Sequence, residues 1–134
     1  MALQFPRTMV GGVSLPRMLI GSNWIAGFSH TSPAADAQIR CRYSDRHRVA
    51  QLIEAYLEYD INAMMAIFKP NDPMLDGVKE AEDRTGKKVI LIDTPPMNMD
   101  DNAQARAEAE ARIALSRKWA APSASPTTPA PNSW

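Results

Sequence analysis

Polar side chains that could serve catalysis or ligand binding follow three apolar runs of the chain. The first run is followed by Asn23, His30 and Asp36, and the two later runs by Lys69 and by Asp93. A carboxylate beside an imidazole fixes the tautomer of the ring, so His30 with Asp36 or Asp93 could form an acid/base pair. We therefore take Asp93 and His30 as candidate catalytic residues, and Asn23, Asp36 and Lys69 as candidate ligand-binding residues.

Each of these residues also has a purely structural interpretation. A single histidine in a polar loop commonly only bonds that loop, and Asp93 could simply cap the turn after its strand. Lys69 is followed by "PND", which favours a hydrated lysine over the desolvated one that forms a Schiff base. Histidine, aspartate and asparagine together could hold a hard or borderline metal, but their pattern is not specific. We assign no metal and leave the cofactor open.

Composition limits the class of protein. At 134 residues the chain has room for one domain with a modest core. Its 15 Lys and Arg residues balance 15 Asp and Glu residues, and this formal net charge of +0 offers no field to attract nucleic acid or an anionic membrane. The single cysteine, Cys41, excludes an internal disulfide and fits a reducing compartment. No run approaches the roughly 18 apolar residues of a membrane span. We expect a cytoplasmic protein that binds neither nucleic acid nor membrane.

The N-terminal pattern predicts a hairpin followed by a first core strand. The pair Gly11–Gly12 readily takes the positive φ angles of a two-residue hairpin turn. The strand is predicted over Leu15–Ile20, and because Pro16 has no N–H to donate, its pairing should begin at Arg17. A loop over 21–36 follows.

Helices and strands then alternate. Helical spacing of apolar residues begins after Ser44 or Asp45, either of which could cap the first helix. "INAMMAIF" is apolar at successive positions, which predicts a parallel strand covered on both faces. A second helix should begin at Asp72–Pro73 and end at Gly86, and "KVILID" predicts the third strand. An alanine-rich helix follows, with Asp100 or Asp101 as its cap.

This order predicts an α/β fold with a parallel sheet and right-handed crossovers. Two architectures share the pattern: a small doubly wound sheet, and the opening units of a (β/α)8 barrel, which usually needs about 250 residues. The leading hairpin could plug the bottom of a barrel and therefore favours the second. In a barrel, the loops after the strands, here 21–36, 69–72 and 93–98, would form the functional face.

A resemblance points the same way. "FPRTMVGGVSLPRMLIGSNWIAGFSH" resembles the start of an uncharacterised bacterial and archaeal group of aldo-keto-reductase-like barrel proteins, and the likeness extends to about Pro96. It implies a hairpin followed by three βα units of a TIM-barrel-like parallel sheet, which is an incomplete barrel. The likeness implies little about the reaction, because the group lacks a clear activity.

The catalytic residues of true aldo-keto reductases are not matched. Those enzymes place an Asp and a Tyr after the second strand, a Lys at the end of the third, and a His after a fourth. Here the second strand ends in "AIFKPND", the third ends in "LIDTPPM", and a fourth strand is missing. The resemblance therefore implies neither the catalytic tetrad nor the nicotinamide site, which belongs to the last strands, and we expect no reductase activity.

The last residues differ in composition from the rest. "PSASPTTPAPNSW" has no periodicity and little to bury, so we predict a partial barrel domain over 1–121 and a disordered tail over 122–134. Three parallel strands cannot close a barrel, and an exposed sheet edge invites a partner. One hypothesis is a truncated barrel enzyme with small-molecule ligand contacts from Asn23, His30, Asp36 and Asp93, inactive as this chain because catalysis requires a missing C-terminal barrel portion. The other is a noncatalytic α/β module that binds or self-associates through its sheet edge.

Overall fold

The computed structural model describes residues 4–119, so the predicted tail over 122–134 lies outside the described residues. The chain is α/β, with a two-stranded antiparallel hairpin, a three-stranded parallel sheet and several helices. In chain order the elements are β1 (Arg7–Val10), β2 (Val13–Pro16), β3 (Ile20–Gly21), α1 (Pro33–Tyr43), α2 (Arg46–Glu58), β4 (Ala63–Ala66), α3 (Pro73–Thr85), β5 (Ile90–Asp93) and α4 (Ala103–Ser116). None of the helices within residues 4–119 has the length and hydropathy needed to cross a bilayer.

The predicted hairpin is confirmed, but the first core strand is shorter than predicted. Gly11 and Gly12 form the turn with φ of 56° and 81°, and β1 pairs with β2 antiparallel. The backbone N–H of Arg17 donates to the carbonyl of Pro6 at 2.8 Å, which extends the hairpin. The expectation that the pairing of the core strand begins at Arg17 is therefore wrong, and parallel pairing begins only at Ile20.

The three parallel strands lie in chain order, β3-β4-β5. Ile20 pairs with Met64, which in turn pairs with Leu91, and Ala66 pairs with Asp93. The strands predicted in "INAMMAIF" and "KVILID" are both confirmed. Because all three run in the same direction, their carboxyl ends meet at one edge of the sheet.

Helices cover one face of this sheet. Along β4 and the residues after it, Met64, Ala66 and Phe68 are buried, whereas Met65 and Ile67 are 39% and 44% exposed. The buried set packs against α2 and α3 in a single core. The expectation that this strand is covered on both faces is wrong for the described residues: one apolar face stays open, and we call it the open face.

The helix boundaries follow local capping chemistry, with two corrections. The predicted caps Asp72 and Gly86 are confirmed, and Asp45 rather than Ser44 caps α2. The cap of α4 is Asn102, whose Oδ1 accepts from the N–H of Ala105 at 2.8 Å, so the prediction of Asp100 or Asp101 is wrong.

The second correction concerns α1, which occupies part of the segment predicted as loop. Ser32 caps it and Pro33 opens it. Only Ile39 of this helix is a buried hydrophobic residue, which explains why no apolar periodicity indicated it.

Arg7 fixes the hairpin against the sheet. Its guanidinium donates to the carbonyl of Asp60 at 3.0 Å and to Oδ1 of Asn62 at 2.9 Å, and also to the backbone and hydroxyl of Ser14 at 2.9 Å each. Asp60 and Asn62 directly precede β4. The hairpin therefore lies at the amino edge of the sheet and leaves the carboxyl edge to the loops.

Candidate functional site

Two adjoining concavities lie at the carboxyl edge of the parallel sheet. Their volumes are about 620 Å³ and about 530 Å³. They share the lining residues Ser22, Asn23, Ile25, Tyr43 and Thr94. We treat them together as the carboxyl-edge cleft, which falls in the size range of small-molecule sites.

The two parts of the cleft differ in chemistry. The larger part is mostly apolar and includes Trp24, Tyr56 and Met65. The smaller part adds the charged side chains of Arg40, Lys69 and Asp72. A ligand that spans the cleft would therefore meet an apolar end and a charged end.

The loop after β3 forms one wall of the cleft and is itself tightly turned. The N–H of Phe28 donates to the carbonyl of Asn23 at 2.7 Å, and the N–H of Ala26 donates to that of Ser22 at 2.8 Å. Gly27 has φ of 80°, and a Cβ at this position would overlap Cγ of Arg40. Glycine here lets α1 approach the loop, and Arg40 Nη1 donates to the Gly27 carbonyl at 3.1 Å.

Asp36 ties the same loop to α1. Its Oδ1 accepts from the hydroxyl of Ser29 at 2.5 Å and from the N–H of Ser29 at 2.8 Å. These two bonds from Ser29, assisted by the nearby Arg40 charge, hold the pKa of the Asp36 carboxyl below its ordinary value. Asp36 lies in the first turn of α1, not in a loop as predicted, and is not among the residues that line the cleft.

His30 does not form the predicted pair with a carboxylate. In the described part of the chain, its Nε2 lies 3.2 Å from Nδ2 of Asn23, and neither Asp36 nor Asp93 is bonded to the ring. His30 itself adopts the left-handed conformation with φ of 58°. It reaches the cleft only through Asn23.

Asp93 lies on the helix-covered side of the sheet. Its Oδ1 accepts from the N–H of Phe68 at 3.2 Å, and its Oδ2 accepts from the hydroxyl of Ser116 in α4. The carboxylate thus joins the ends of two strands to the last helix. Of the candidates from sequence, only Asn23 and Lys69 line the cleft directly.

Sequence reasoning missed several lining residues. Thr94 lines both parts of the cleft, and its hydroxyl donates to the carbonyl of Ala66 at 3.1 Å. The alternation of side chains along a strand could have indicated Thr94, because Asp93 and Thr94 are neighbours in the sequence and must point to opposite faces of the sheet. Tyr43 and Arg40 were not predicted as site residues, because the helix that carries them, α1, was not predicted.

No group of three or more His, Cys, Asp or Glu side chains that could hold a metal ion occurs among residues 4–119. Comparison of the chain with models of protein families, with curated proteins and with solved structures gives no match. The site is therefore interpreted from its own geometry.

Proposed function

We propose that this chain is the first part of a (β/α) barrel whose carboxyl edge binds a small molecule, without a complete catalytic site of its own. The observation that carries the proposal is the sheet: three parallel strands in chain order, with helices on one face. A doubly wound sheet would reverse its strand order and carry helices on both faces. The sequential order with one open apolar face favours the inner wall of a barrel.

The hairpin supports the same interpretation. It is held at the amino edge by Arg7, where a barrel plug would lie. This placement agrees with the proposed relationship to the aldo-keto-reductase-like barrel group.

The cleft supports ligand binding and not catalysis. Functional residues of barrel enzymes gather at the carboxyl ends of the strands, and the cleft lies there. Asp36 and Asp93, however, are both engaged in hydrogen bonds that hold the fold together. The cleft therefore lacks, within the described residues, a histidine bonded to a carboxylate that could transfer a proton.

Fragment binding followed by NMR tests the proposal. The ¹⁵N-labelled chain would be titrated with small aromatic and aliphatic fragments of negative, neutral and positive charge. We expect the fragments that bind to shift the amide signals of Asn23, Trp24 and Thr94. We expect Tyr43→Ala to lower the affinity of these fragments. Tyr59→Ala is the matched control, because Tyr59 is 57% exposed and does not line the cleft. Hits that leave these amides unmoved, or no hits at all, would argue against a ligand cleft.

The open face favours a second candidate function, assembly. Met65 and Ile67 lie on it, and β3 and β5 each leave one edge unpaired in the described part of the chain. Exposed apolar surface and free strand edges are typical of interfaces. The partner would be a second copy or a missing C-terminal barrel portion.

Sedimentation velocity over a range of concentrations tests assembly. If copies associate through the open face, Ile67→Lys should shift the chain to monomer, and Lys79→Gln, at an exposed position of α3, should not. A chain that is monomeric throughout and unfolds cooperatively in urea would count against self-association.

A further inference from the structure

We infer that the carboxyl-edge cleft takes a small organic anion with a flat apolar body, its charged group at Lys69 and Arg40 and its body against the aromatic wall. This inference rests on the proposed function and names the class of ligand. Carboxylates and phosphate monoesters share the required chemistry.

The charged end of the cleft is richer in cations than in anions. Arg40 and Lys69 line it together with one carboxylate, Asp72. A second carboxylate, Asp36, lies near Arg40 but does not line the cleft, and its Oδ1 already accepts two hydrogen bonds from Ser29. Asp72 already serves the fold, because its Oδ1 caps α3 through the N–H of Met74 at 3.0 Å. Since both carboxylates are engaged in hydrogen bonds of the fold and both cations line the cleft, this end favours a negatively charged ligand group.

Both cations retain donors for a ligand. Arg40 donates one Nη1 bond to the carbonyl of Gly27, and a guanidinium has further N–H groups in the same plane. Lys69 has no hydrogen-bond or ion-pair partner among the described residues, in contrast to Lys87, whose ammonium donates to the carbonyl of Leu57 at 2.5 Å. A carboxylate or phosphate oxygen between Arg40 and Lys69 would accept charge-assisted bonds from both.

The apolar part of the ligand has an aromatic wall to meet. Trp24 is 60% exposed and Phe28 is 55% exposed, and each lines one part of the cleft. Tyr43 lies between the two parts and lines both. A flat apolar body that covers exposed aromatic rings beside a cleft buries their apolar surface, which favours binding.

The expected selectivity can be measured with three probes of nearly equal shape: benzoate, benzyl alcohol and benzylammonium. In ¹H–¹⁵N titrations at low salt, benzoate should bind about five- to tenfold more tightly than benzyl alcohol, which corresponds to solvent-screened charge contacts with Lys69 and Arg40. Benzylammonium should bind most weakly. Phenyl phosphate in place of benzoate then identifies which of the two anionic groups the site prefers.

Lys69→Gln is the deciding variant. It should narrow the preference for benzoate over benzyl alcohol, with Arg40 supplying the remainder, and should leave the affinity for benzyl alcohol unchanged. Lys79→Gln, outside the cleft, should alter neither affinity. Equal binding of benzoate and benzyl alcohol at the cleft, insensitive to Lys69→Gln, would overturn the anion inference and leave the proposed ligand cleft intact. Binding of none of the probes at the cleft would overturn both.

Discussion

Replacement of Gly77 by alanine probes how closely the two helices of the core approach. Gly77 is buried in α3, directly against α2. A Cβ at this position would lie 2.6 Å from both Cβ and Cγ1 of Val49 and 3.0 Å from the carbonyl oxygen of Arg46. Carbon atoms in contact normally lie about 3.5–4.0 Å apart, so the added methyl overlaps its neighbours by roughly 1 Å.

Two opposing effects decide whether Gly77→Ala raises or lowers the free energy of unfolding. Alanine is favoured over glycine inside a helix by about 1 kcal/mol. Overpacking a well-packed core costs about 1–3 kcal/mol. Here the upper part of that range applies, because Val49 is fully buried and its Cβ is fixed to the backbone of α2, so that relief requires the helices to separate. We therefore expect Gly77→Ala to lower the free energy of unfolding by about 1–2 kcal/mol.

Urea unfolding followed by circular dichroism measures this change. The matched control is Gly21→Ala, since a Cβ at Gly21 meets nothing within 4 Å. In a Val49→Ala background one of the two close carbons is gone, so Gly77→Ala should cost less there than in the unaltered chain. If Gly77→Ala proves as stable as the parent or more stable, helix propensity has outweighed packing and the close approach of α2 and α3 is refuted.

Three further outcomes are expected. Arg7→Lys should lower the free energy of unfolding by about 1–2 kcal/mol in urea, because lysine lacks the planar fork that joins the hairpin to the sheet. The pKa of the Asp36 carboxyl, followed by ¹³C NMR, should lie below its ordinary value, and Ser29→Ala should raise it, because the hydrogen bond from the Ser29 hydroxyl is the main cause of the lowering. The contribution of Asp36 to stability is accordingly present above its unfolded pKa and lost as the pH falls through its folded pKa, which hydrogen exchange in the loop would show. Asp45→Ala should cost about 1 kcal/mol, and Ser44→Ala less, in the same urea assay, because only Asp45 caps α2.

Elements with a strong local signal were predictable from the sequence. Asp72 and Pro73 act on the first turn of α3, and Gly86 acts on its last turn. All three behave as predicted. The strands β4 and β5 were equally clear, because their apolar runs are short and bounded by turn residues.

Elements whose position depends on tertiary contacts were not predictable from the sequence. The helix α1 carries the start signal of Ser32 and Pro33, but with Ile39 as its buried hydrophobic residue it shows no apolar stripe. The start of α4 falls among three consecutive capping residues, 100–102. The structure uses Asn102 and buries Ala105, and no local pattern distinguishes this cap from the other two.

The site was predictable in position and not in detail. The carboxyl edge of the sheet was expected to carry the candidate residues, and the cleft lies there. Two features decide which side chains line the cleft. One is the face of the strand, since Asp93 and Thr94 point to opposite faces, and the other is the backbone conformation of turns such as that at His30. The partner of His30 could not be read from spacing, because a left-handed residue redirects the chain.

The two proposed functions, ligand binding and assembly, would not be independent in this architecture. Met65 lines the apolar part of the cleft and Ile67 lines the charged part, and both lie on the open face. A partner that covers the open face must therefore contact the cleft or the residues at its floor. Binding free energies at two such sites are coupled reciprocally, so a change in affinity for benzoate on association implies an equal change in the association constant when benzoate is bound. We accordingly expect any dimer to bind benzoate with an affinity different from that of the monomer. Benzoate titrations of the unaltered chain, at protein concentrations below and above those at which it associates, measure that difference.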